Sequence, residues 1–144
     1  MSLGWIKGVN WLATLVSAVA YFGLGAIWYA RPIFGKRWMD AAGIKMSEDP
    51  EARNQPSPMM FAANFIAYLA AATAMGMLAA ALRSSTAMEG LVLGLVVGGG
   101  FSVSLTLVSA VYEPKPKPAS WFLITGAYNL IGLMIVGVIV SVWR

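Results

Sequence analysis

The sequence predicts an all-α integral membrane protein, with four transmembrane helices in one domain over residues 1–144 and a longer first loop containing an interfacial segment. Three observations predict it. The chain is 59% hydrophobic and 11% charged, whereas soluble domains carry about 25% charged residues, so it lacks the polar surface that a water-soluble fold needs. Four runs, residues 10–29, 59–82, 90–112 and 121–143, contain no Asp, Glu, Lys, Arg or His. Each reaches the roughly 20 apolar residues that a helix needs to cross the hydrocarbon core.

The first run is too long for the apolar core of a signal peptide, and "WYARPIFGKRW" follows it instead of a small-residue cleavage site, so it is expected to stay as a helix. In lipid its peptide groups find no water, so each run must close its own hydrogen bonds as a helix. The connection 31–57 has two halves. "RPIFGKRWMDAAG" mixes aromatic and basic residues suited to the headgroup region, while "KMSEDPEARNQPSP" is polar, punctuated by proline and expected to be exposed. Ser57-Pro58 supplies an N-cap and a proline at the first helical position, where the missing N–H costs nothing.

Thr86 with Glu89 three residues later reads as a capping box, so the third helix is expected to begin near Ala87. Little more than "RSSTAM" separates the second and third runs, which predicts a tight antiparallel hairpin. After the third run, the alternating prolines of "EPKPKPAS" stop the helix and favour extended backbone.

Basic residues set the expected orientation. Lys7, Arg83 and Arg144 fall on one face, and Arg31, Lys36, Arg37, Lys45, Arg53, Lys115 and Lys117 on the other. The positive-inside rule therefore puts loops 31–57 and 113–120 in the cytoplasm and both termini outside. Trp11, Trp28, Tyr29, Trp121 and Trp143 stand at run ends, as an anchoring aromatic belt would.

Within the third run, Gly90, Gly94 and Gly98 are spaced by four and share one helix face. Without a hydrophobic drive between helices in lipid, such a side-chain-free groove, a glycine zipper, permits the close approach that holds helices together. The hairpin offers the second helix as partner through Ala63, Ala67, Ala70, Ala71 and Ala74, with a homodimer or partner seam as the alternative. Gly99 and Gly100 add looseness and predict a bend near mid-membrane. Asn64 and Asn129 are expected to face the bundle or a partner, because an unpaired carboxamide in hydrocarbon costs several kcal/mol. Interhelical hydrogen bonding is the plain role for both, and gripping a ligand such as a quinone-like headgroup is the alternative.

Three segments resemble the DUF1761 family of small bacterial membrane proteins: "NWLATLVSAVAYFGLGAIWYARPIFGKRWM", "EGLVLGLVVGGGF" and "GAYNLIGLMIVGVIVSVW". The pattern Trp28, Tyr29, Pro32, Phe34, Gly35 and Trp38 is the most specific part. The resemblance spans nearly the full length. It implies four transmembrane helices, a bacterial inner (cytoplasmic) membrane and no established activity.

The residue inventory narrows the chemistry. With no His and no Cys, the usual metal ligands, imidazole bases and thiolate nucleophiles are missing. Asp40, Glu48, Asp49 and Glu51 lie in one loop, and Glu89 and Glu113 at helix ends, where a structural or solvated role is expected of Glu113, with binding a cation or pairing with Arg31 or Lys36 as the alternative. No catalytic residue, metal site, cofactor or nucleic-acid partner is expected, and the glycine run lacks the lysine of a phosphate-binding loop. The expected function is non-catalytic: lateral helix packing as an accessory or scaffold subunit of a larger membrane complex, with lipids and other subunits or further copies as partners. A small oligomeric channel or uncoupled transporter is the alternative. Arg31, Lys36 and Arg37 are candidate contacts for an anionic lipid.

Overall fold

The computed structural model describes residues 3–44 and 57–143. The polar half of the first loop, 45–56, lies outside the described residues, and with it the expectation of exposure there. Four helices are long and apolar enough to cross a membrane: Trp11–Trp28, Pro58–Leu82, Ala87–Tyr112 and Ala119–Val142. The first is α1 and the second is α3, while a short helix in the first loop, α2, covers Lys36–Ala42. The third span comprises α4, Ala87–Val97, and α5, Ser104–Tyr112, joined by a π-helical turn over Gly98–Val103. The fourth span is α6, Ala119–Val142. A 3-10 helix, Leu3–Gly8, precedes α1.

The boundaries have local chemical causes. Asn10 caps α1 by accepting from the Ala13 N–H, and Ser57 caps α3 by accepting from the Met60 N–H with Pro58 at the first helical position. At α4 the box is complete: Thr86 Oγ1 accepts from the Glu89 N–H while the Glu89 carboxylate accepts from the Ser85 and Thr86 N–H groups. Arg83 ends α3 in the left-handed conformation at φ 58°.

The fourth span is the hub, packing against α1, α3, α4 and the π turn, and α2 also lies on it. It is the most buried of the four and the third span is the least. Ala72, Met75 and Ala79 of α3 meet Ala18 and Tyr21 of α1 and Tyr128, Leu133, Val136 and Val140 of α6 in one core cluster. At the edge of the bundle, the buried Ser84 and Ser141 hydroxyls meet at 2.7 Å and tie the turn after α3 to the end of α6.

The glycine face of the third span meets α6, not the second span. A Cβ on Gly90 would strike the Gly137 carbonyl and one on Gly94 the Leu133 carbonyl and Met134 Cα, while one on Gly98 would lie 2.9 Å from Leu130 Cδ1. Gly137 returns the approach, since its own Cβ would strike the Gly90 carbonyl. Backbone thus lies on backbone along this seam. The hairpin partners α3 and α4 touch little. Accordingly Ala67 is exposed and Ala71 packs against the core cluster instead of a glycine groove. Adjacency in sequence brought the second and third spans to a common turn, but the closest approach went to the helix that carries its own glycine opposite Gly90.

The proline-rich third loop is pinned to α2. Lys117 Nζ donates to the Ala42 carbonyl at 3.1 Å and pairs with Glu113 at 3.1 Å. Glu113 is therefore satisfied within its own loop and does not pair with Arg31 or Lys36.

Candidate functional site

A groove of about 620 Å³ lies between α1 and α3, beside the α2 end of the bundle. Phe22, Gly25 and Ala26 form its α1 wall, and Met60, Phe61, Asn64 and Tyr68 its α3 wall. Tyr29 and Trp38 close one end, and Tyr128 of α6 contributes to the lining. Ala26, Met60, Phe61 and Asn64 are all exposed, so the groove opens sideways between the two helices.

The rings around it form a connected cluster. Tyr21 lies 4.3 Å from Tyr68 and 5.4 Å from Tyr128, centroid to centroid. Tyr29 stands edge-on to both Tyr128 and Trp38, at 5.1 and 5.3 Å. Phe22 meets Phe65 at 5.7 Å, near perpendicular. These tilted and edge-to-face geometries are the ones that ring quadrupoles favour. Tyrosine brings a hydroxyl that needs a partner in hydrocarbon, and the backbone and one carboxamide supply it: Tyr128 donates to the Tyr21 carbonyl at 3.1 Å, and Tyr21 donates to Asn129 Oδ1 at 3.0 Å.

Asn129 thereby joins three spans, since its Nδ2 also donates to Thr106 Oγ1 at 3.4 Å, and Thr106 donates to the Ser102 carbonyl within the π turn. Replacing Asn129 with Leu leaves the Tyr21 hydroxyl without its side-chain acceptor. The expected loss is about 1–2 kcal/mol, the upper part of the range for polar contacts between membrane helices, measured as a lower melting temperature in detergent.

Trp28 and Tyr29, placed by the sequence as interfacial anchors, turn toward the protein instead. Trp28 donates to the Ile124 carbonyl at 3.2 Å and packs on Phe34. Trp38 of α2 donates to Thr125 Oγ1 at 3.1 Å, which holds α2 on α6. Between them the chain folds back through the π-helical turn Arg31–Gly35. Only glycine fits at its end: a Cβ on Gly35 would strike the Tyr29 carbonyl and approach Ala30 at 3.0 Å. Gly35→Ala is therefore expected to undo this turn and release Trp38 from Thr125, read as a red shift of tryptophan emission with the four spans retained by circular dichroism.

Arg31, Lys36 and Arg37 are exposed on the same segment. Asn64 does not reach the bundle interior; it is exposed on the α3 wall of the groove, with no hydrogen-bond partner among the described residues. Tyr21, Tyr68 and Tyr128 were not singled out from sequence. Their signal was available, because Tyr21, Tyr68 and Tyr128 lie inside apolar runs rather than at their ends.

Four apolar helices long enough to cross a bilayer, held by glycine contacts and a satisfied polar cluster, define a four-span membrane protein. The chain belongs to the DUF1761 family, described as "Protein of unknown function (DUF1761)", whose model matches residues 12–141. No curated protein and no solved structure matches it.

Proposed function

We propose that this protein acts without catalysis, through lateral contacts in a bacterial inner membrane, as an accessory subunit of a larger membrane assembly. The supporting observation is the third span. Its glycine face is occupied by α6, while the opposite side offers Gly100, Phe101 and Ser104 outward at the π turn, where a Cβ on Gly99 or Gly100 would meet nothing within 4 Å. Interruptions of this kind in a helix often mark functional positions, and small residues let a second helix approach. The orientation that fits the basic residues has loops 31–57 and 113–120 in the cytoplasm, with Arg31, Lys36 and Arg37 available there to anionic lipid headgroups.

A second reading is a passage between several copies. It draws on Ser104 and Ser109, whose exposure on α5 would let them line such a path. Mild-detergent extraction from the native membrane, followed by size separation and mass spectrometry of whatever migrates with this chain, tests both. Migration with a large defined complex supports the accessory subunit, with Gly100→Leu expected to release it. Migration alone as a monomer overturns both readings, and a small homo-oligomer favours the second, to be followed by solute flux in reconstituted vesicles.

A further inference from the structure

We infer that the groove between α1 and α3 binds one neutral, lipid-soluble ring of the quinone or quinol class, with Asn64 hydrogen-bonding a ring oxygen. The volume, about 620 Å³, lies in the range of small-molecule sites, and the groove opens sideways, as entry from a bilayer requires.

The chemistry of the lining selects the occupant. Phe22, Tyr29, Trp38, Phe61, Tyr68 and Tyr128 offer flat faces and edges, which suit a flat unsaturated ring. None of the lining residues is charged, so a phosphate or carboxylate would enter without a counter-charge. An acyl chain would satisfy the apolar walls but leave Asn64 as it stands, a carboxamide with no partner among the described residues, six residues into α3, about 9 Å along its axis from Pro58. A ring carbonyl or hydroxyl answers both features at once. The carboxamide donates through Nδ2 and accepts through Oδ1, so it serves the carbonyl and the hydroxyl form alike, while the exposed Met60 and Ala26 leave room for an apolar tail to run out between the helices.

The test is a titration of the purified protein, in nanodiscs of phosphatidylcholine, with a decyl-substituted 1,4-benzoquinone, read by quenching of tryptophan emission, since Trp38 lines the groove. Saturable quenching with one site is expected. Asn64→Leu should weaken it about tenfold, the equivalent of one hydrogen bond, and Ala26→Phe should abolish it by filling the groove from an exposed position that the fold does not need. Should Asn64→Leu fail to fold, Ala26→Phe decides alone. Quenching that rises linearly with quinone, or that saturates equally in both variants, overturns the inference. So does native mass spectrometry that finds a phospholipid retained by the protein and displaced by no quinone. These outcomes are independent of whether the chain migrates with a larger assembly.

Discussion

A Gly94→Leu protein is expected to lose the third span from the bundle. The Gly94 Cα faces the Leu133 carbonyl and Met134 Cα directly, with no side chain between. A side chain there meets backbone, which has no rotamer to change. Overpacking typically costs about 1–3 kcal/mol and occasionally more; with a whole leucine against backbone, about 3 kcal/mol or more is expected. Gly90 and Gly137 sit in the same seam, so Gly137→Leu on the facing helix should reproduce the defect. Gly100→Ala, six residues along the same glycine-rich run, should do the opposite. A Cβ there meets nothing within 4 Å, and replacing a helical glycine by alanine stabilises by about 0.5–1 kcal/mol. Thermal melting of the three variants in one detergent checks the contrast. If Gly94→Leu melts with Gly100→Ala and not far below it, close backbone contact is not what joins the third and fourth spans.

That contrast also shows how much of the fold the sequence carries. Charge-free runs, the Ser57-Pro58 start and the Thr86–Glu89 box are local signals, and they place the helix ends to within a residue or two. The spacing of four places Gly90, Gly94 and Gly98 on one face for the same local reason. Which helix lies against that face is a tertiary question. A short turn between α3 and α4 fixes only their ends, and the two helices diverge, whereas α6 carries Gly137 where Gly90 needs it. Gly98 is buried and Gly100 exposed, as positions two apart on a helix face opposite sides, and the π turn over Gly98–Val103 widens the helical repeat there. Local looseness was legible from three consecutive glycines; the π-helical form it takes was not.

The groove was less legible still. Asn64 and Asn129 look alike in sequence, each a carboxamide in an apolar run. Their fates differ because Asn129 sits on the central helix, within reach of Tyr21 and Thr106, while Asn64 sits near the N-terminal end of α3 where α1 and α3 leave a gap. Trp28 and Tyr29 misled in the opposite direction. Aromatic residues at a span end usually anchor to the interface, but the fold-back at Arg31–Gly35 lays α2 over that end and encloses them. Gly35 was the available signal, since glycine is the residue that lets backbone approach backbone closely.

The aromatic cluster itself rests on one glycine, and Gly132→Ala is expected to dismantle it. The Tyr21 ring lies directly against Gly132, so a Cβ there would strike its Cδ2 and Cε2 atoms. The ring has no room to retreat: it is 3% exposed, with Tyr68 and Tyr128 against it. Moving it also breaks the hydrogen bond to Asn129. Overpacking of about 1–3 kcal/mol and the loss of a hydrogen bond of about 1 kcal/mol together predict a destabilisation of about 2–4 kcal/mol. A double-mutant cycle separates this contact from a general effect of adding a methyl group. Tyr21→Leu alone should destabilise by opening a cavity, but in its presence Gly132→Ala should cost far less, because the alanine methyl then enters vacated space. Non-additivity above about 1 kcal/mol is the expected result for residues in contact. Additive losses would mean that Tyr21 does not lie over Gly132, and the cluster that shapes the groove would have to be arranged differently.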